Sequence, residues 1–192
     1  MIRIGVLGSI GSGKSYVAKL FGYPVFNADK EVAKLYKKDS KCCKKIKKAL
    51  PDYNFSFPIN KNKILEAILD NKNNLKKIIK IIHPEVRLKM NYFIKKNNNK
   101  KIIILDIPLL LENKLNKKRD ILIFVDAKQK LIEKKLGKRV GGNSKIFKIF
   151  KNVQLPIELK KKKSNFVIKN NFTKHSVRKN VKKILKEILL NA

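Results

Sequence analysis

The chain contains no tryptophan, and its two cysteines, Cys42 and Cys43, are adjacent. A disulfide framework needs separated pairs, and a zinc site needs C-x-x-C spacing or histidine partners, so neither is expected. A reducing cytoplasm is the simplest home for such a sequence. Long hydrophobic runs are missing too. The longest apolar stretch, Ile102 to Leu111, is interrupted by Asp106 and Pro108 and falls far short of the roughly 20 residues that span a bilayer. The opening MIRIGVLG runs directly into a strand pattern with no charged leader ahead of an apolar segment, so no signal peptide and no membrane partner are expected.

Acidic residues are scarce, 14 against 48 lysines and arginines, which gives a formal charge of +34. Arginine is scarce as well: only Arg3, Arg87, Arg119, Arg139 and Arg178 occur. A nucleic-acid surface favours arginine, whose planar fork reads phosphates and bases, and gathers its charge into a patch. Here the charge is lysine spread along the whole chain among Asn and Ile, the residues of A/T-rich codons. We therefore read it as compositional drift and expect no specific nucleic-acid partner, although any polyanion is attracted to such a field. Hydrophobic residues reach 43 %, which excludes a disordered chain, and 192 residues suit one folding unit.

Short apolar runs recur with helical patterns between them: IRIGVL (2–7), PVF (24–26), KIIIL (101–105), DILIFV (120–125) and NFVI (165–168). Runs this short and continuously apolar are what strands buried on both faces of a parallel sheet look like, so an α/β fold with five parallel strands is expected. Residues 39–99 carry helical spacing without a strand and read as an inserted helical lobe between core segments 1–38 and 100–192. Residues 134–163 are lysine-rich and hold Gly141 and Gly142, as a lid would, and the lysine runs read as solvated faces. Val177, Val181, Ile184, Leu185, Ile188 and Leu189 form one stripe on a closing helix.

Behind the first strand stands GSIGSGKS, which fits G-x-x-x-x-G-K-[ST] as Gly8, Gly13, Lys14 and Ser15, between a strand and a helix as the motif requires. The backbone of Gly8, Ser9, Ile10, Gly11, Ser12 and Gly13 can curl its N–H groups inward around phosphates, with Tyr16 opening the helix. Lys14 reaches the β- and γ-phosphates and Ser15 offers oxygen to Mg²⁺. No N-K-x-D and no D-x-x-G occurs, so a Ras-like GTPase is not expected and a kinase or ATPase using ATP remains. Asp29, in FNADKEVA after the second strand, is placed either as a base for an acceptor hydroxyl or as an acid at a helix start. Asp106, ending the third strand, is placed either near Mg²⁺ or one shell behind it. His83, before Pro84, reads as a helix-start or pocket-wall residue, and His175 has no partner in sequence.

Taken together these residues resemble the dephospho-coenzyme A kinase family over nearly the whole chain. The resemblance rests on GSIGSGKS, FNADK, HPEVR (83–87), DIPLLLE (106–112), Arg139 with Gln154 fifteen residues on, and SNFVIKN (164–170). It implies a three-layer P-loop kinase fold, with ATP and Mg²⁺ as cofactors and 3′-dephospho-CoA as the small-molecule substrate. The ribose 3′-hydroxyl is phosphorylated in the last step of coenzyme A synthesis. By the same resemblance Asp29 is the general base, Lys14 and Ser15 keep their phosphate and metal roles, and Arg139 neutralises the transferring phosphoryl, while Asp106 stays open between the metal and the shell behind it. His83, Arg87, Pro108, Leu109, Leu110 and Glu112 line the acceptor pocket.

The chain departs from the family pattern at Asn27, where the family has an acid, and at Lys135, where a second lid arginine is common. Ser9, Tyr16 and Val140 are further departures. The rival readings are a nucleoside monophosphate kinase, which would not require H-P-x-V with P-L-L-x-E, and a nucleic-acid-stimulated ATPase.

Overall fold

The computed structural model describes residues 1–137 and 144–191. The expected lid residues Arg139, Val140, Gly141 and Gly142 lie outside the described residues. Five strands, β1 (Ile2–Gly8), β2 (Val25–Asn27), β3 (Ile102–Asp106), β4 (Ile121–Asp126) and β5 (Phe166–Lys169), form one sheet in the order β2-β3-β1-β4-β5, every pairing parallel. These are the five apolar runs of the sequence. Their continuity has a structural cause: β1 is flanked on both edges, Ile2 opposite Ile102 and Ile4 opposite both Ile104 and Ile121, and Ile102 to Asp106 are all buried.

Helix α1 (Lys14–Leu20) and the final helix α9 (Lys174–Leu190) bury one face of the sheet. Val17 and Ala18 from α1 and Val177, Val181, Ile184 and Ile188 from α9 pack with Ile4, Val6, Ile104, Ile123, Val125 and Ile168 in one cluster. The predicted stripe of α9 is the buried one, while Leu185 and Leu189 flank it. Helices α6 (Gln129–Gly137), α7 (Ser144–Asn152) and α8 (Ile157–Lys162) lie between β4 and β5 in the chain.

The chain divides into two compact units, one of Met1–Asn27, Lys96–Gly142 and Phe150–Ala192, the other of Ala28–Lys95 and Asn143–Ile149. The helical lobe thus begins at Ala28, earlier than residue 39. It contains α2 (Ala28–Lys38), α3 (Ser40–Ala49), a 3-10 turn at Pro51–Tyr53, α4 (Lys61–Asp70) and α5 (Lys72–Lys96, its last residue outside the unit). Side chains start three of these helices: Asp39 accepts from the Cys42 N–H at 2.9 Å, Asn60 from the Asn62 N–H at 2.8 Å, and Asn71 from the Asn73 N–H at 2.9 Å.

One expectation fails here. His83 and Pro84 do not open a helix; they sit in the middle of the 25-residue α5. Proline inside a helix removes one backbone hydrogen bond. The apolar face of Leu75, Ile78, Ile82, Val86 and Met90 is buried on both sides of Pro84, and that burial outweighs the missing bond.

Candidate active site

In an open parallel sheet, ligands sit beyond the carboxyl ends of the strands, where neighbouring connections diverge. In this sheet the divergence is at β1, which lies between β3 and β4, with the chain running to β2 and β3 on one side of it and to β4 and β5 on the other, and the glycine-rich loop leaves β1 at that point. The loop's shape is fixed by residues that have no room for a side chain. A Cβ on Gly8, at φ 147°, would fall 2.7 Å from Ser12 Oγ and 2.7 Å from the Val125 carbonyl. Gly11 (φ 79°) and Gly13 (φ 90°) also have positive φ, and Gly13 is the N-cap of α1, accepting from the Tyr16 and Val17 N–H groups at 3.0 Å each.

Lys14 is buried, and its ammonium donates to the carbonyls of Ser9 at 2.8 Å and Gly8 at 3.2 Å. Ser9, Ile10 and Gly11 are half-buried at the loop's rim, whereas Ser15 and Tyr16 are exposed.

Asn170, at the end of β5, braces the loop from behind. Its side-chain amide donates to the Ser12 carbonyl at 2.7 Å and its Oδ1 accepts from the Phe172 N–H at 2.8 Å. Its own N–H donates to the Asp126 carbonyl at 2.6 Å. The sequence pattern SNFVIKN assigns Asn170 no role by itself; the signal it carries is an amide directly after a strand at the sheet's ligand edge. Phe172, at φ 64°, carries its ring beside Gly13, and Lys135 Nζ stands 4.4 Å from that ring's centroid. Lys135 is therefore held by a cation–π contact.

The metal candidates lie in one hydrogen-bonded chain. Asn27 Nδ2 donates to Ser15 Oγ at 3.4 Å and to Asp106 Oδ2, across the register pair Asn27 and Asp106 of β2 and β3. Asp106 is buried, with 2 % of its surface exposed. An acid at position 27 would abut the Asp106 carboxylate, whereas the amide donates to it. The departure thus exchanges like-charge repulsion for a hydrogen bond. A hydroxyl and a carboxylate are hard oxygen ligands, the donor set that suits Mg²⁺, which takes one or two protein ligands beside substrate phosphates.

Of the acceptor candidates, the turn after β3 carries Pro108 and Leu109, half-buried, and Leu110, wholly buried. Glu112 accepts through Oε1 from Lys160 Nζ at 2.7 Å and from the Leu155 N–H at 2.9 Å. Lys160 belongs to a four-lysine run read as solvated, yet it is 2 % exposed. Charge composition alone gives no signal for such a residue; the buried carboxylate that receives it is 48 residues away.

Asp29, His83 and Arg87 belong to the helical unit. Asp29 is exposed in the first turn of α2, two residues after Asn27, and Arg87 is exposed one helical turn after half-buried His83 on α5. Burial, with the Arg87 charge adding to it, holds His83 below its usual 6.5.

A family model described as dephospho-CoA kinase matches residues 2–175. The dephospho-CoA kinase of Wolbachia pipientis wMel is 33 % identical over 193 residues, covering 98 % of both chains. Among solved structures, TT1252 from Thermus thermophilus is similar at TM-score 0.75 and 25 % identity, with 97 % of each chain covered. The dephospho-CoA kinase from Campylobacter jejuni shares the fold at TM-score 0.65 and 22 % identity, covering 97 % of this chain and 96 % of that one. A glycine loop braced by Asn170, a Ser15–Asn27–Asp106 chain at the strand ends and a match across nearly the full length agree: the chain belongs to the dephospho-CoA kinase family.

Proposed function

We propose that this protein transfers the γ-phosphoryl of ATP directly to the ribose 3′-hydroxyl of 3′-dephospho-CoA, giving CoA and ADP. The observation that carries the reading is the phosphate loop built beside an oxygen-ligand chain, within a chain that matches the family over residues 2–175.

Backbone N–H groups of residues 8–15 bind the donor's phosphates. Lys14 exchanges its loop carbonyls for phosphate oxygens, at a position where its ammonium is already held. Ser15 and Asp106 would hold Mg²⁺, with the Asn27 amide orienting both side chains. The ion, when bound, neutralises charge on the phosphates and orients them for in-line displacement. Asp29 takes the proton of the 3′-hydroxyl as its oxygen attacks phosphorus, and the leaving oxygen departs on ADP. Arg139 neutralises charge spreading over the transferring group.

Pro108 and Leu109 give the acceptor an apolar wall, and, as the family resemblance implies, His83 and Arg87 serve the acceptor, Arg87 through one of its phosphates. Two buried free thiols, Cys42 and Cys43, support a reducing cytoplasmic compartment. Among the described residues no helix is long and apolar enough to cross a membrane.

The test is ATP consumption measured separately with 3′-dephospho-CoA, with AMP and with nucleic acid. Turnover with the first alone supports the reading. Turnover with AMP indicates a nucleoside monophosphate kinase, and stimulation by nucleic acid alone, steeply salt-dependent, indicates an ATPase of a different kind.

A further inference from the structure

The turn 107–115 that follows β3 is pinned from two directions. From within, Leu110 presses on β1: a Cβ on Gly5 would lie 2.5 Å from Leu110 Cδ2, so the strand admits this leucine only because residue 5 has no side chain. From without, Glu112 Oε1 receives the Lys160 ammonium at 2.7 Å and the Leu155 N–H at 2.9 Å, and the same ammonium donates to Gln154 Oε1 at 3.2 Å. The two charged side chains are 10 % and 2 % exposed. The other carboxylate oxygen, Glu112 Oε2, is buried with no hydrogen-bond partner.

A buried ion pair is a poor means of stabilising a fold, because desolvation offsets its attraction and apolar replacements of equal volume are often as stable. What the pair supplies is direction. Two donors from points five residues apart converge on one oxygen and fix where residue 112, and the turn that carries it, can lie.

We propose that Glu112 and Lys160 are positioning residues for the phosphoryl transfer. Their ion pair holds the 107–115 turn, with Pro108 and Leu109, against residues 154–160, so that the acceptor meets a preset wall. This rests on the reading of that turn as part of the acceptor site. It gives Glu112 a role through its neighbours in place of contact with the acceptor.

The test uses the full-length enzyme and steady-state kinetics with each substrate varied, at a temperature where circular dichroism shows every variant folded. Glu112→Asp keeps the charge but is one methylene too short to hold both donors. The double variant Glu112→Gln with Lys160→Met removes both charges and so leaves neither one buried alone. Both are expected to lower kcat/KM for 3′-dephospho-CoA by about tenfold or more, as misplacement of a binding wall does, while the KM for ATP stays within about twofold. The double variant is also expected to melt near the parent.

Acceptor kcat/KM at the parent value in a folded Glu112→Asp enzyme overturns the proposal, as does an equal loss for ATP and acceptor. Leu109→Ala separates this from the reading beneath it. If Leu109→Ala leaves the acceptor KM unchanged, the turn is not the acceptor's wall; if it raises that KM and the Glu112 variants do not, the ion pair is not what positions it.

Discussion

Replacing Asn170 by alanine tests whether the phosphate loop is held by the amide behind it. Asn170 is 3 % exposed, and its side chain supplies the donor to the Ser12 carbonyl at 2.7 Å and the acceptor for the Phe172 N–H at 2.8 Å. Alanine deletes both bonds and leaves two backbone groups without these partners. A net hydrogen bond contributes about 1 kcal/mol, and a buried group left unpaired costs about 1–3 kcal/mol. Two such groups cost about 2–6 kcal/mol, and water entering the space the amide vacates brings the expected loss to about 2–4 kcal/mol. At this chain length each kcal/mol shifts the melting temperature by about 2–4 °C, so a fall of about 5–15 °C is expected.

Urea unfolding reads the same loss as a lower midpoint with unchanged slope. Because Ser12 lies in the middle of the loop, ATP should bind about tenfold or more weaker in a calorimetric titration, a loss of about 1.4 kcal/mol. Asn170→Asp keeps the acceptor for Phe172 but sets an oxygen against the Ser12 carbonyl, so it should bind ATP no better than the alanine variant. An Asn170→Ala protein that melts with the parent and binds ATP equally well would refute the brace.

Three further outcomes follow from the same geometry. Gly13→Ala puts a Cβ 2.4 Å from Asn170 Nδ2 at a φ of 90°, so it should displace the brace and weaken ATP binding at least as much as Asn170→Ala, read by the same titration. Asp29→Asn should lower the single-turnover rate by about 100-fold or more while ATP binds as before; an undiminished rate removes Asp29 as the base. His83 has a folded value held below 6.5, so the unfolded chain takes up its proton first as pH falls. Stability should therefore decline as pH drops below about 6.5 toward the folded value, and His83→Gln should remove that part of the slope in urea titrations between pH 7 and 5. The variant and the parent should differ least above pH 7.

What the sequence made legible was what periodicity and local motifs encode. Strands buried on both faces must be apolar throughout, so all five appeared as short runs, and the α9 stripe appeared because one face meets the sheet. The phosphate loop was legible because its positive-φ glycines, its lysine and its hydroxyl follow one another at fixed spacing within residues 8–15. Long-range polar pairing was not. Lys160 differs from Lys161, Lys162 and Lys163 only in what it faces, and Asn27 reads as a lost acid until the strand register sets it opposite Asp106. The helix through Pro84 escaped for a related reason: a local breaker signal was overridden by apolar burial on both sides of it. The helical unit's start at Ala28 follows from how α2 packs on α3, which no composition change marks.

The most direct measurement is the product of a single incubation with Mg-ATP and 3′-dephospho-CoA, resolved by chromatography and ³¹P NMR. The account predicts one ADP per CoA, with the new phosphate on the ribose 3′-oxygen and little free phosphate when the acceptor is left out. ADP and inorganic phosphate formed at the same rate with and without 3′-dephospho-CoA, and no phosphate on the ribose, would contradict it.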